Sequence, residues 1–312
     1  MLALAKYTLK GQYHAAAVVG VLAIAAVFFP LVAGNAIISA LVTTILIVMS
    51  GALVGLIILT QGTISGLKAI VVSVLGITLV TTILLKTPAL GISIALAQWL
   101  PIVILAQALK STKSLSMMIL SGAVLAAMVV SVQFFFWPDI EQEWLRVIQL
   151  SLDQMKDYPA YSSAVVQENI QLFVHWMVLL MVSAMYLMFV SILFLSRWLQ
   201  AKITDSDGYS KEFRAIALGK PAALVAIAVL ILSFWLNQNW IVSLCLILMS
   251  AFLYQGLSIV HCRAAKSRFK AVIIGIFYAL LLLFPQVVAL TSIVGVIDNW
   301  LGFRKPRNAE ST

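Results

Sequence analysis

The polar side chains that interrupt apolar sequence are few, and through them this chain could do chemistry. Asp298 is the carboxylate that falls inside or beside an apolar span. An ionisable group in that setting is a functional candidate by default. Arg304, six residues on, offers it an ion pair or a helix-end partner instead. Gln98, Trp99, Pro101 and Gln107 interrupt the apolar run 90–109. Proline lacks the amide hydrogen and frees a carbonyl one turn earlier. In lipid that carbonyl needs a partner from a neighbouring helix or from water. Such a segment either lines a cavity or packs with its amides bonded to adjacent helices. Gln255 and His261 stand six residues apart, about 120° off a shared helix face, so they need not touch one ligand. His261 borders a basic loop, where a solvated or interfacial histidine is the ordinary reading. Gln98, Trp99, Gln107, Gln255, His261 and Asp298 form the candidate ligand-binding or polar membrane-facing set.

Catalytic constellations are absent from the sequence. It has no HExxH, no paired intramembrane aspartates, no GxSxG and no P-loop. His14, His175 and His261 fall on separate elements, and Cys245 and Cys262 lack metal-ligand or disulfide-framework spacing. Asp205-Ser206-Asp207-Gly208 resembles part of a calcium loop but has no distal glutamate. The expectation is a protein that is not an enzyme, with no cofactor and no metal site.

The elements that must position these residues are membrane helices. The chain is 63% hydrophobic and 10% charged, whereas soluble chains carry roughly 25% charged residues. Its apolar runs reach the ~20 residues that cross a hydrocarbon core of about 30 Å as helix. Residues 222–232 are apolar at every position, unlike the period-2 alternation of a membrane barrel. Spans are expected near 15–32, 37–59, 67–85, 90–109, 115–136, 171–195, 221–236 and 240–260. The last apolar stretch, 271–301, is too long for one upright span and is divided at Pro285. The fold class is therefore all-α: a polytopic transmembrane helical bundle of nine or ten membrane segments, plus an amphipathic extracytoplasmic helix. Gly51-x-x-x-Gly55 permits close helix approach.

One long polar stretch divides the apolar runs. Residues 137–170 hold Asp139, Glu141, Glu143, Asp153, Asp157 and Glu168 against Arg146 and Lys156. Within it Trp144, Leu145, Ile148, Leu152 and Met155 recur at helical spacing opposite Glu141, Glu143, Asp153 and Lys156. That pattern is an amphipathic helix ended before Pro159, lying on the membrane surface, capping the bundle or acting as a lid. The chain then divides into a five-helix membrane region (1–136), this acidic extracytoplasmic loop (137–170), a second membrane region (171–303) and a short basic tail (304–312).

With the acidic loop outside, the N-terminus falls inside. Lys6, Lys10, Lys68, Lys110 and Lys113 then lie inside, with the basic residues of 197–220 and 263–270. Outside are Lys86, Arg146 and Lys156. The positive-inside rule favours this orientation, and it accounts for the net charge of +9 without nucleic acid. The C-terminal basic residues fall inside if 271–301 forms two short segments or a re-entrant one. A bacterial inner membrane is the expected location.

Two C-terminal patterns carry a resemblance. Tyr254-Gln255-Gly256-Leu257-Ser258-Ile259-Val260-His261 ends one helix, and Gly295-Val296-Ile297-Asp298-Asn299-Trp300-Leu301-Gly302-Phe303-Arg304 lies near the chain end. With Trp99-Leu100-Pro101 and the Lys110–Lys113 turn, they resemble the YybS-like family of predicted bacterial membrane proteins, a domain of unknown function. That family is distantly similar to the substrate-binding components of energy-coupling-factor transporters. The resemblance implies a transporter-like component that binds a small molecule and is energised by a partner such as an ATPase module. The alternative is a membrane scaffold or assembly factor that binds other membrane proteins. Membrane lipids are partners on either reading. The two readings differ in a testable way: a binding component predicts a polar-lined cavity near Gln98, Gln107 and Gln255, and a scaffold predicts those amides paired helix to helix.

Overall fold

The computed structural model describes residues 1–153, 164–206 and 208–304. Met155, Lys156, Asp157, Pro159, Asp207, Lys305 and Arg307, which figure in the expectations above or in the basic tail, lie outside the described residues. All regular structure among the described residues is helical. The helices are α1 (Leu2–Thr8), α2 (Gln12–Val32), α3 (Ala36–Gln61), α4 (Thr63–Leu85), α5 (Leu90–Ile94), α6 (Leu100–Thr112), α7 (Leu115–Phe136) and α8 (Ile140–Asp153). They continue as α9 (Ala164–Ile203), α10 (Gly208–Arg214), α11 (Lys220–Leu236), α12 (Asn239–Ala264), α13 (Lys270–Leu283) and α14 (Pro285–Leu301).

Among the described residues, seven helices are long and apolar enough to cross a membrane. They are α2, α3, α4, the continuous Leu90–Thr112 segment, α7, Asn169–Ile203 of α9, and α12. Nine or ten segments are reached only by adding α11 and the arms of a bent pair, α13 and α14. Those helices have 17, 14 and 17 residues, or about 21–26 Å of helix, less than a hydrocarbon core of about 30 Å.

Local chemistry sets the breaks. Asn35 accepts from the amides of Ile37 and Ile38 (3.0 and 3.1 Å) and caps α3. Gly62, at φ +100°, ends α3 and starts α4 in a conformation that favours glycine. Between α5 and α6 the chain makes a π-helical turn, Ala95–Trp99, directly before Pro101. The π turn absorbs the ladder disruption that proline imposes. Phe284, preceding Pro285, is extended (φ −126°, ψ 103°), as the steric clash with a following proline ring requires. There α13 and α14 bend by 116°.

Contacts divide the chain into two compact units: residues 1–121 with 188–215, and residues 122–187 with 216–312. In the first unit α3 is central, with Leu53, Leu56, Ile57 and Ile58 fully buried. Gly51 faces Ile102 and Ile192, and Gly55 faces Ser196, so the Gly-x-x-x-Gly pair is a packing device. Ser196 Oγ donates to the Ala52 carbonyl (3.0 Å) and Gln200 Nε2 to that of Leu59 (3.0 Å), which stitches α9 along α3. In the second unit α12 is the most enclosed span, 67% buried, so its polar residues have protein rather than lipid for neighbours.

Candidate functional site

The site is built where α12 and α14 touch. A Cβ at Gly256 would collide with the Thr291 carbonyl oxygen, and one at Gly295 with that of Phe252. Only glycine permits this backbone approach. It brings Gln255 beside Asp298, both buried. Gln255 Nε2 donates to Asp298 Oδ2 (3.0 Å), and Gln255 Oε1 accepts from the Leu218 amide (2.9 Å).

The C-terminus of α14 completes the arrangement. Gly302, at φ +60°, takes the left-handed conformation that closes a helix end, and its amide donates to the Asp298 carbonyl (2.9 Å). The Phe303 amide donates to Asp298 Oδ1 (2.9 Å). Arg304 folds back: Nη2 donates to Asp298 Oδ2 (2.6 Å) and Nη1 to the Ile216 carbonyl (2.6 Å). Ser258 Oγ reaches the same Ile216 carbonyl (3.3 Å). Asp298 has a side chain 2% exposed and Arg304 one 19% exposed, so the charge pair is desolvated on the carboxylate side. A buried carboxylate is tolerated only when paired and hydrogen-bonded, and here the guanidinium and two further donors supply that. The two sequence patterns 254–261 and 295–304 thus meet in space. Asp298 is held in an ion pair with Arg304 and also binds the Phe303 amide at the helix end.

The other candidates stand elsewhere. Gln98 Nε2 donates to the Ile47 carbonyl (3.0 Å). Trp99 is fully buried, and its Nε1 donates to Ser50 Oγ (3.3 Å), which donates onward to the Val19 carbonyl (3.3 Å). Gln107 accepts from the Thr63 hydroxyl. All three belong to the first unit: Gln98 and Trp99 join the π turn to α3 and, through Ser50, to α2, and Gln107 joins α6 to α4. His261 does not join Gln255; its Nε2 pairs with the Tyr278 hydroxyl (3.2 Å) on α13.

Sequence reasoning missed a second polar cluster. Glu141 Oε1 accepts from Asn239 Nδ2 (3.0 Å) and meets His175 Nδ1 (3.1 Å). The amphipathic pattern expects Glu141 on the outward face of its helix. Instead Glu141 ties α8 to α9 and α12, while Trp144, Val147 and Leu150 are exposed. The apolar stripe is wider than the face that α8 packs, so part of it stays uncovered. The signal that could have found this cluster was helical spacing: Glu141 stands four and seven residues before Leu145 and Ile148 and so shares their face of the helix. Near the end of α7, Gln133 is buried, and its Nε2 has no hydrogen-bond partner among the described residues. Metal-binding groupings of three or more His, Cys, Asp or Glu are absent among the described residues.

The chain matches no protein-family model, no curated protein and no solved structure.

Proposed function

We propose that this chain is a membrane scaffold or assembly factor that holds other membrane proteins through its bundle and loops, with no catalysis of its own. One observation carries the reading. The amides and carboxylate that could have recognised a ligand are engaged between helices: Gln98 with Ile47, Gln107 with Thr63, and Gln255 with Asp298 and Leu218. A bundle whose polar groups hold its own helices together presents surfaces rather than a binding chamber.

The proposal includes a bacterial inner membrane, the N-terminus on the cytoplasmic side, and nine or ten membrane segments counting α11 and the arms of the bent pair. The distribution of lysine and arginine supports the orientation. The bent pair supports a cytoplasmic C-terminus. Arg304 reaches Ile216 just before α11, and α13 starts just after α12, so α13 and α14 leave and regain the same end of their unit.

One second reading stands beside it, a transporter-like small-molecule binding component as the YybS-like resemblance implies. The buried side-chain amide of Gln133, without a partner among the described residues, favours it, because a buried donor without a partner costs about 1–3 kcal/mol and a ligand acceptor would remove that cost. Native mass spectrometry of the full chain ejected from nanodiscs separates the two. A stoichiometric membrane-protein partner supports the scaffold. A stoichiometric metabolite, lost in Gln133→Leu, overturns it.

A further inference from the structure

Among the described residues no ion pair engages the lysines at one end of the first unit, and a groove opens beside them. Residues 1–138 contain no Asp or Glu. Lys6, Lys10, Lys68, Lys110 and Lys113 gather at one end. Gln61 Nε2 donates to the Leu9 carbonyl (2.9 Å), Gln107 pairs with Thr63, and Lys110 Nζ lies 3.3 Å from where a Gly62 Cβ would stand. Of the unit's carboxylates, Glu212 is held at two points by Arg197 (Nε–Oε2 3.0 Å).

Here α2 and α4 pack closely at Ser73, whose Oγ donates to the Ala16 carbonyl (3.0 Å). Toward their N-termini they leave a groove of about 450 Å³. Gln12, Tyr13 and Lys68 supply its polar groups, and Ile64, Val71 and Val72 its apolar wall. Those side chains are exposed. Both helices start at glycines, Gly11 and Gly62, without a side-chain cap, which leaves amide hydrogens at that end for an anion.

We infer that this groove is a binding site for one anionic phospholipid. Its phosphate sits at Lys68, Tyr13 and Gln12, and an acyl chain runs inward along Val71 and Val72, with Ile64 beside the headgroup. The charge argues for an anion, since five lysines face no carboxylate on their own segment. The apolar wall argues for a lipid over free phosphate. The lysine stem packs on apolar surface while its ammonium reaches the headgroup. The inference goes beyond the proposed function and depends on its topology only for the leaflet, which is the cytoplasmic one.

The test is native mass spectrometry of the full chain from nanodiscs holding phosphatidylglycerol and phosphatidylcholine in equal amounts, with inorganic phosphate as the soluble competitor. The wild type is expected to retain one phosphatidylglycerol in preference to phosphatidylcholine, and phosphate is expected not to displace it. Lys68→Gln should lower that preference about fivefold, the effect of one lysine near an anionic surface. Lys202→Gln, outside the groove, should leave it unchanged. Equal retention of the two lipids, displacement by phosphate, or an unchanged preference in a Lys68→Gln protein that elutes as a folded species each overturns the site. Failure here leaves the scaffold reading untouched, because no protein partner enters the measurement.

Discussion

The two units solve the same problem with different chemistry. The first joins its long helices with neutral side chains that donate to backbone carbonyls, Gln98 to Ile47, Ser50 to Val19, Ser196 to Ala52 and Gln200 to Leu59, and keeps its Arg197–Glu212 ion pair for the short α10. Each carbonyl belongs to a helix, so losing the extra donor costs little. The second unit places a charge at its joint. Asp298 is buried among Gln255, Arg304 and the Phe303 amide, and losing a partner there strands an ion. The glycines differ in the same way. A Cβ at Gly51 would press on the end of the Ile102 side chain, which can rotate. A Cβ at Gly256 or Gly295 would meet backbone oxygen, which cannot. Small neutral contacts make a joint that tolerates change, and backbone contact plus a buried charge make one that does not.

The comparison can be broken by mutation, most severely at the charge. Arg304→Leu leaves the Asp298 carboxylate buried and unpaired, so unfolding measured in detergent should show a loss of about 3–5 kcal/mol. Adding Asp298→Asn should restore most of it. A double variant no better than the single one would show that the guanidinium matters for something other than this charge. Next comes Gly295→Ala, with an expected loss of about 1–3 kcal/mol from overpacking against backbone. Gly51→Ala should cost clearly less in the same assay, and equal losses would remove the distinction between rigid and yielding neighbours.

Ser196→Ala should cost roughly 0.6 kcal/mol, the average found for single side-chain hydrogen bonds between membrane helices. The smallest effect is expected at Glu141. Its pair with His175 is about a third exposed (34% and 36%), and solvent screens such pairs. Glu141→Gln should leave stability nearly unchanged, while hydrogen exchange of the α8 amides should rise as the tie to α9 loosens. Unchanged exchange would mean that packing of α8, not this cluster, holds it.

How far the sequence could be read differs along the chain. The span 115–136 coincides with α7, because an uninterrupted apolar run has one outcome in lipid. The break at Pro285 was legible because a proline ring restricts the residue before it. The span 171–195 is shorter than α9, which continues to Ile203, since Arg197 and Lys202 look like a loop until Glu212 and the α3 carbonyls engage their neighbours. The π turn before Pro101 was legible only as a kink. At the site, the sequence offered Gln255 and Asp298 as separate candidates with Arg304 as one option, because pairing across 43 residues leaves no local periodicity to follow. Glu141 was expected opposite the apolar residues although its spacing to Leu145 and Ile148 puts it on their face; what no local pattern could supply was its partners, His175 and Asn239, on later helices.

The sequence by itself determined a helical protein built of long apolar spans, because hydropathy and proline act within one or two turns of chain; of the nine or ten segments it led one to expect, seven helices among the described residues are long and apolar enough for a membrane. Tertiary structure alone decided which polar groups meet. Hydrogen-bond and charge pairing depend on helices crossing at Gly256 and Gly295, and a crossing point is set by the shapes of two surfaces that lie far apart in the chain.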